Sequence, residues 1–124
     1  LVKCLAEEGL KPEALVLLGF SQGAMMSLHV APRRDEAIAG VVAISGKLMR
    51  PATLAMELKV RMPILLIHGD QDQMVPFGEM QAAGTALVAN KFQTYAHVMK
   101  GSGHGIAPDG LQVALSFIAE RLPN

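Results

Sequence analysis

The amino-acid sequence predicts an α/β fold, in which a parallel β-sheet is flanked by helices. Strand patterns and helix patterns alternate strictly along the chain, which is typical of this class. Two of the predicted strands are almost continuous runs of Val, Ile and Leu, as in parallel strands covered on both faces. Hydrophobic residues make up 51% of the 124 residues and charged residues 18%, which favours a sizeable core. We expect residues 1–124 to form a single domain or part of one.

Four segments have the composition of buried strands. Their sequences are ALVLLGF, IAGVVAIS, PILLIHG and FQTYAHVM, at residues 14–20, 38–45, 63–69 and 92–99. The first and third of these segments are the two that consist almost entirely of Val, Ile and Leu.

Helices are predicted between and after these strands. Residues 22–31 carry apolar side chains on one side, and so do residues 77–90. The last helix, residues 109–122, has an apolar stripe, and a short helix is predicted at residues 53–58. Residues 1–9 resemble the end of a helix that stops at a glycine. The stripe of the last helix consists of Leu111, Ala114, Leu115, Ile118 and Leu122.

Composition argues against several classes of protein. Eleven Lys and Arg balance eleven Asp and Glu, for a formal net charge of zero. The longest basic run is Arg33-Arg34, so we expect no nucleic-acid partner. No apolar stretch is long enough for a membrane span, and we expect no signal peptide.

The number of cysteines and the positions of the histidines indicate whether the chain can hold a disulfide or a metal ion. The single cysteine, Cys4, excludes an internal disulfide. It is expected to be a buried structural thiol in a reducing compartment, which points to the cytoplasm. Cysteines and histidines show no zinc-ligand spacing, so we expect no metal.

The segment GFSQG has the pattern Gly-x-Ser-x-Gly, with Ser21 between Gly19 and Gly23. A strand before it and a helix after it are the context of a nucleophile elbow, which exposes the serine hydroxyl at the sheet edge. We expect both glycines because strand and helix approach too closely there for side chains. The turn should also aim the backbone N–H of Gln22 at a developing oxyanion. The alternative, that Ser21 is only a helix cap, leaves the glycines unexplained.

A serine nucleophile needs a base, and the base needs an acid that orients it. After a nucleophile elbow, the expected chain order is serine, acid, histidine. Asp70 and Asp72 follow the third predicted strand, in HGDQDQMVP, and His104 follows the fourth, in KGSGHGIAP. The other histidines lie in a helix pattern, in a strand pattern and beside the acids; they are His29, His97 and His68.

The segments GFSQGAMMSL, HGDQDQMVP and GHGI resemble the phospholipase/carboxylesterase family of α/β-hydrolases, which includes the acyl-protein thioesterases. The resemblance runs through the whole chain in order, and it implies the α/β-hydrolase fold. It implies that Ser21 is the nucleophile, that His104 is the base and that Asp72, rather than Asp70, is the acid.

The resemblance also bears on residues around this triad. Met74 matches a position where the family has an apolar residue beside the acyl pocket. Val75 and Ile106 are further candidates for the pocket edge, although core packing would explain all three nearly as well. Ala24 departs from the family, which often has a third glycine there, but alanine is small enough to be accepted.

The resemblance implies a serine carboxylic-ester hydrolase that works through an acyl-enzyme. It implies no cofactor and a small ester or thioester as substrate. Thioesterase, lysophospholipase and peptidase activities stay open, because the same triad serves all of them. A fragment that only folds or binds is the alternative outside enzymes.

The chain resembles only the C-terminal half of the family. The loop that carries the second oxyanion donor belongs to the first half. We therefore expect the 124 residues alone to be a weak or inactive esterase. We also expect the strand ALVLLGF to present an unpaired apolar edge, through which the chain would dimerise.

Overall fold

The structure, a computed structural model, describes residues 15–121. Three predicted features lie outside these residues. They are the helix at residues 1–9, the buried thiol of Cys4, and Leu122, the last residue of the apolar stripe predicted in the final helix. Two short 3₁₀ turns, Ala31–Arg33 and Pro51–Thr53, join the larger elements. In chain order these elements are β1 (Val16–Phe20), α1 (Gln22–Val30), β2 (Gly40–Ile44), α2 (Leu54–Glu57), β3 (Ile64–Gly69), α3 (Gly78–Ala89), β4 (Thr94–Met99) and α4 (Pro108–Arg121).

The four strands form one parallel sheet in the order β1-β2-β3-β4. The predicted α/β architecture is confirmed, and every described element begins and ends within about two residues of its predicted position. Parallel neighbours place their carboxyl ends at one edge of the sheet, which is where ligand and catalytic groups gather in such folds. At that edge, Phe20 pairs with Ile44, and Gly69 pairs with Met99.

Two apolar layers cover the sheet. One layer packs α1 and α3 against alternate residues of β2 and β3, with Leu28 and Leu87 fully buried. The other packs α4 against the opposite faces of the same strands, through Ala114 and Phe117. All residues of β2 and β3 are buried, as expected for strands covered on both faces.

Two predictions of burial are wrong. The segments that form β1 and β4 were expected to be buried, but each has a neighbouring strand on one side only among residues 15–121, and both are partly exposed. Leu18 of β1 is 48% exposed. In α4, Ala114 of the predicted stripe is buried, but Leu111 and Leu115 are exposed. The buried face of the helix contains Gly110 and Phe117 in their place.

Residues 15–121 contain neither a membrane-spanning helix nor a cluster of metal ligands. None of the helices there has the length and apolar content needed to cross a bilayer. No group of three His, Cys, Asp or Glu side chains in that part of the chain is arranged to hold a metal ion.

Candidate active site

Ser21 occupies a sharp turn between β1 and α1. Its backbone has φ 57° and ψ −114°, a region that a residue with a side chain enters only when its surroundings hold it there. The Ser21 N–H donates to the carbonyl of Ile44 on the neighbouring strand at 2.9 Å. This bond anchors the turn to the carboxyl edge of the sheet.

Only one of the two flanking glycines is required by close packing. A Cβ on Gly19 would clash with the backbone of Gly23 and Ala24, so strand and helix meet there as expected. A Cβ on Gly23 would meet nothing within 4 Å. The expectation that Gly23 avoids a clash is therefore wrong for the described part of the chain.

The hydroxyl of Ser21 does not cap the helix. No side-chain capping bond is formed at the start of α1; instead, Ser21 Oγ lies 3.0 Å from His104 Nε2. Within residues 15–121, no backbone carbonyl accepts the N–H of Gln22, the first residue of the helix. Such an N–H, at the positive end of a helix, can donate to an anion.

Asp72 lies in the loop after β3, and its side chain is inaccessible to solvent. Its Oδ1 accepts the backbone N–H groups of Met74 and Val75, at 2.9 and 2.8 Å. Its Oδ2 lies 2.8 Å from His104 Nδ1. The two backbone bonds hold the carboxylate so that one oxygen faces the imidazole.

Burial by itself would raise the pKa of Asp72, because it disfavours the charged form. The hydrogen bonds from His104, Val75 and Met74 favour the carboxylate, and together they lower the pKa of Asp72 below its ordinary value. Asp72 is therefore ionised at neutral pH and can only accept hydrogen bonds.

The charge of Asp72 assigns the tautomer of His104. The Nδ1–H of His104 donates to Asp72, so the neutral ring has its free electron pair on Nε2, which accepts from the Ser21 hydroxyl. The ring of Phe20 packs against the imidazole, with a centroid separation of 5.0 Å and planes inclined at 43°. Ser21, His104 and Asp72, contributed by the ends of β1, β4 and β3, thus form a continuous hydrogen-bonded chain.

The remaining polar candidates lie elsewhere or have other partners. Asp70 does not contact His104; its Oδ1 accepts the N–H of Gly101 at 2.8 Å. His97 pairs with Asp109 at 2.7 Å on the sheet surface, and His29 lies in α1.

His68, the residue before the end of β3, is buried close to Asp72. Its Nε2 donates to the carbonyl of Val75 at 2.8 Å and lies 3.5 Å from Asp72 Oδ2. This contact and that of Phe20 with His104 were not identified from the sequence. Phe20 lies in the segment GFSQG, directly before Ser21, and His68 lies in HGDQDQMVP, four residues before Asp72. This closeness in the chain was the signal that could have identified the two contacts.

The apolar residues proposed to edge a substrate pocket separate into two groups. Met74 is 75% exposed and Ile106 is 45% exposed, so both are open to a ligand. Val75 is buried, and core packing accounts for it.

The parallel sheet and its flanking helices are those of part of an α/β-hydrolase fold. A family model described as phospholipase/carboxylesterase matches residues 1–122, and the chain belongs to that family. It is 36% identical over 126 residues to acyl-protein thioesterase 1 of Saccharomyces cerevisiae, covering 98% of this chain and 56% of the yeast protein.

Two other relatives support the same assignment. Acyl-protein thioesterase 1 homolog 1 of Dictyostelium discoideum is 32% identical, over 96% of this chain and 54% of its own length. The crystal structure of esterase PE8 superposes with a TM-score of 0.95 at 40% identity, over 98% of this chain and 57% of that chain. The chain therefore spans about half the length of these relatives.

Proposed function

We propose that this chain carries the catalytic triad of a carboxylic-ester hydrolase, with Ser21 as nucleophile, His104 as base and Asp72 as acid. The observation that carries the proposal is the hydrogen-bonded chain from Ser21 through His104 to Asp72, at 3.0 and 2.8 Å. A serine hydroxyl is a weak nucleophile unless a base removes its proton as it attacks.

In the proposed reaction, His104 Nε2 takes the Ser21 proton while Oγ attacks the ester carbonyl. Asp72 stabilises the imidazolium that forms and keeps the ring in the orientation that the attack needs. The backbone N–H of Gln22 donates to the oxyanion of the tetrahedral intermediate.

Collapse of that intermediate breaks the carbonyl bond to the leaving group. The alcohol departs with the proton from His104, which leaves an ester between Ser21 and the acyl group. A water molecule then gives a proton to His104 and attacks this acyl-enzyme, and the acid is released as Ser21 regains its proton.

Acyl thioesters are the second candidate substrates, because the two curated relatives described above are named acyl-protein thioesterases. The same acyl-enzyme would form, with a thiol as leaving group. Met74 and Ile106, exposed beside the acid and the base, are proposed to contact the acyl chain.

Reaction with a fluorophosphonate tests the nucleophile. The reagent should modify Ser21 in a 1:1 ratio, located by mass spectrometry of the digested chain. Ser21→Ala should abolish the modification, whereas Ser116→Ala, which changes an exposed serine of α4, should leave it unchanged. Modification of Ser116, or of no serine, would contradict the proposal.

Comparison of substrates tests the reaction class. We expect kcat/KM for aryl esters and acyl thioesters to exceed that for matched peptide amides, and Ser21→Ala should abolish all three. If the gene encodes residues before Leu1, the longer chain should be measured beside the 124-residue chain, since the relatives are longer. A chain that reacts with neither esters nor thioesters in either form would support the alternative of a non-catalytic protein.

A further inference from the structure

The loops that carry Asp72 and His104 leave the sheet at the same level. Gly69, the last residue of β3, pairs directly with Met99, the last residue of β4. Asp72 lies three residues beyond Gly69, and His104 five residues beyond Met99. The hydrogen bond between acid and base therefore depends on how these two loops are held against each other.

The backbones of the two loops are in close contact. A Cβ on Gly69 would clash with the carbonyl oxygens of Ser102 and Gly103, so this position accepts no side chain. The N–H of Gln71 donates to the carbonyl of Ser102 at 2.9 Å. These contacts join residues 69–71 to residues 102–103.

One side chain bridges the same two segments. Asp70 Oδ1 accepts the N–H of Gly101 at 2.8 Å, and Gly101 turns the second loop with φ 74°. Asp70 lies two residues before the acid, and Gly101 lies three residues before the base. A bond at this place fixes the start of one loop to the start of the other.

We propose that Asp70 is a positioning residue, which holds the His104 loop at the distance from Asp72 and Ser21 that proton transfer needs. The proposal rests on the function proposed above for His104. Asp70 itself touches neither Ser21 nor His104, so its effect must pass through the backbone of Gly101 to Gly103.

Loss of the bond between Asp70 and Gly101 should lower the catalytic rate. The bond from a carboxylate to an N–H is charge-assisted, and its loss frees the turn at Gly101. A displacement of about 1 Å at a catalytic group can lower the rate about 100-fold. We expect Asp70→Ala to lower kcat about ten- to 100-fold with a smaller change in KM, because Met74, one of the two proposed contacts of the acyl chain, lies outside the His104 loop.

Asp70→Asn is the conservative variant, because its amide oxygen can still accept the Gly101 N–H. It should retain most of the activity of the wild-type protein. Asp35→Ala is the matched control, because Asp35 is an exposed aspartate whose partner is Lys59, away from the site. It should change neither kcat nor the loop.

The deciding measurements do not depend on turnover. The His104 Nδ1 proton, bonded to Asp72, should give a far-downfield ¹H NMR signal that Asp72→Asn removes. Asp70→Ala should broaden or remove this signal and speed hydrogen exchange at residues 101–105, whereas Asp70→Asn should preserve both. Asp70→Ser replaces Asp70→Ala in these measurements if Asp70→Ala does not fold. The hydroxyl of serine lies one bond closer to the backbone than the carboxylate oxygens of aspartate.

Two outcomes would overturn the proposal: an unchanged His104 signal and unchanged exchange in folded Asp70→Ala, or equal losses in Asp70→Asn and Asp70→Ala. A wild-type protein that shows the bonded proton but hydrolyses neither esters nor thioesters, as the 124-residue chain or as a longer chain, would contradict the proposed function alone. The two proposals can therefore fail separately.

Discussion

Ala24 of α1 packs directly against Gly46, which follows β2. A Cβ built on Gly46 would lie 2.5 Å from the Cβ of Ala24, well inside van der Waals contact. Ala24 is fully buried and lies three residues after Ser21. The side chain that this contact leaves no room for is therefore one on Gly46, opposite Ala24.

We expect Gly46→Ala to lower the free energy of unfolding by about 1 to 3 kcal/mol, which is typical of an overpacked core. The clash should push the first turn of α1 away from β2 and slow the reaction of Ser21 with a fluorophosphonate. Denaturation by urea and the rate of labelling measure the two effects.

The double variant Ala24→Gly/Gly46→Ala is the control, because it moves the methyl group from one side of the contact to the other. The double variant should recover part of the lost unfolding free energy and part of the lost labelling rate. The recovery in unfolding free energy should be smaller by about 1 kcal/mol, because glycine destabilises a helix. Additive losses in the double variant would show that the two positions do not share this space.

In an enzyme completed by the half that the longer relatives contain, Asp72→Asn should lower kcat by about 10⁴-fold while the protein stays folded. The asparagine can keep its bonds to the N–H groups of Met74 and Val75, so the loop should be retained. Its amide N–H₂ facing His104 would favour the ring tautomer with the proton on Nε2, which cannot accept the Ser21 proton. Steady-state ester hydrolysis measures the change.

The comparison variant for this experiment is Asp70→Asn, for which we expect a small effect. If Asp70→Asn caused the large loss and Asp72→Asn did not, the assignment of the acid would be wrong.

The lowered pKa of Asp72 predicts how stability depends on pH. A carboxyl group whose pKa is lower in the folded chain than in the unfolded chain stabilises the fold at pH values above its unfolded pKa, about 4. That contribution disappears as the pH falls through the lower, native value. The free energy of unfolding, measured with urea between about pH 2 and 7, should therefore decrease towards acid more steeply in the wild-type protein than in Asp72→Asn.

Asp72→Asn is informative here because the variant retains the other carboxyl groups with lowered pKa, Asp109 and Glu57. Their contributions cancel in the difference between the two proteins. Parallel stability curves would mean that Asp72 is not stabilised as a carboxylate.

The edge of β1 predicts self-association of the 124-residue chain. Among the described residues β1 pairs only with β2, and Leu18 and Phe20 on this strand are exposed. An open apolar strand edge favours pairing with another chain. Sedimentation velocity should show association that increases with concentration, and Leu18→Glu should weaken it.

Val88→Glu is the matched control for that experiment. Val88 is also an exposed apolar residue, but it lies on α3 rather than on β1. Equal weakening by both substitutions would indicate nonspecific association, and a monomer at every concentration would contradict the prediction.

Residues close in sequence account for what could be predicted of this fold. The apolar run of β3 is buried on both faces, as its composition predicts. The similar run of β1 is partly exposed, because composition does not show that this strand lies at the edge of the described sheet. The stripe of α4 was right for Ala114 and Ile118 and wrong for Leu111 and Leu115, because the helix has apolar residues on more than one side. Periodicity does not tell whether Leu111 and Leu115 or Gly110 and Phe117 face the sheet.

The candidate site shows the same limit. Ser21 and His104 could be selected because each follows a strand and because their order along the chain is restricted. The same reasoning left Asp70 and Asp72 open, and only the family resemblance selected Asp72. The bond between Asp70 and Gly101 joins residues 31 positions apart. No local pattern encodes such a contact, which arises only when β3 and β4 are aligned side by side.

The hydrogen bond between Ser21 and His104 joins residues 83 positions apart, from the first and last strands of the described sheet. Contacts of such long range close only after the intervening chain has folded. The reactivity of Ser21 should therefore report the folded population of the whole sheet. In a urea titration, the fraction of chains labelled at Ser21 by a brief pulse of fluorophosphonate should decrease along the same curve as the circular dichroism signal. The reactivity of this hydroxyl would then measure cooperative folding of the sheet.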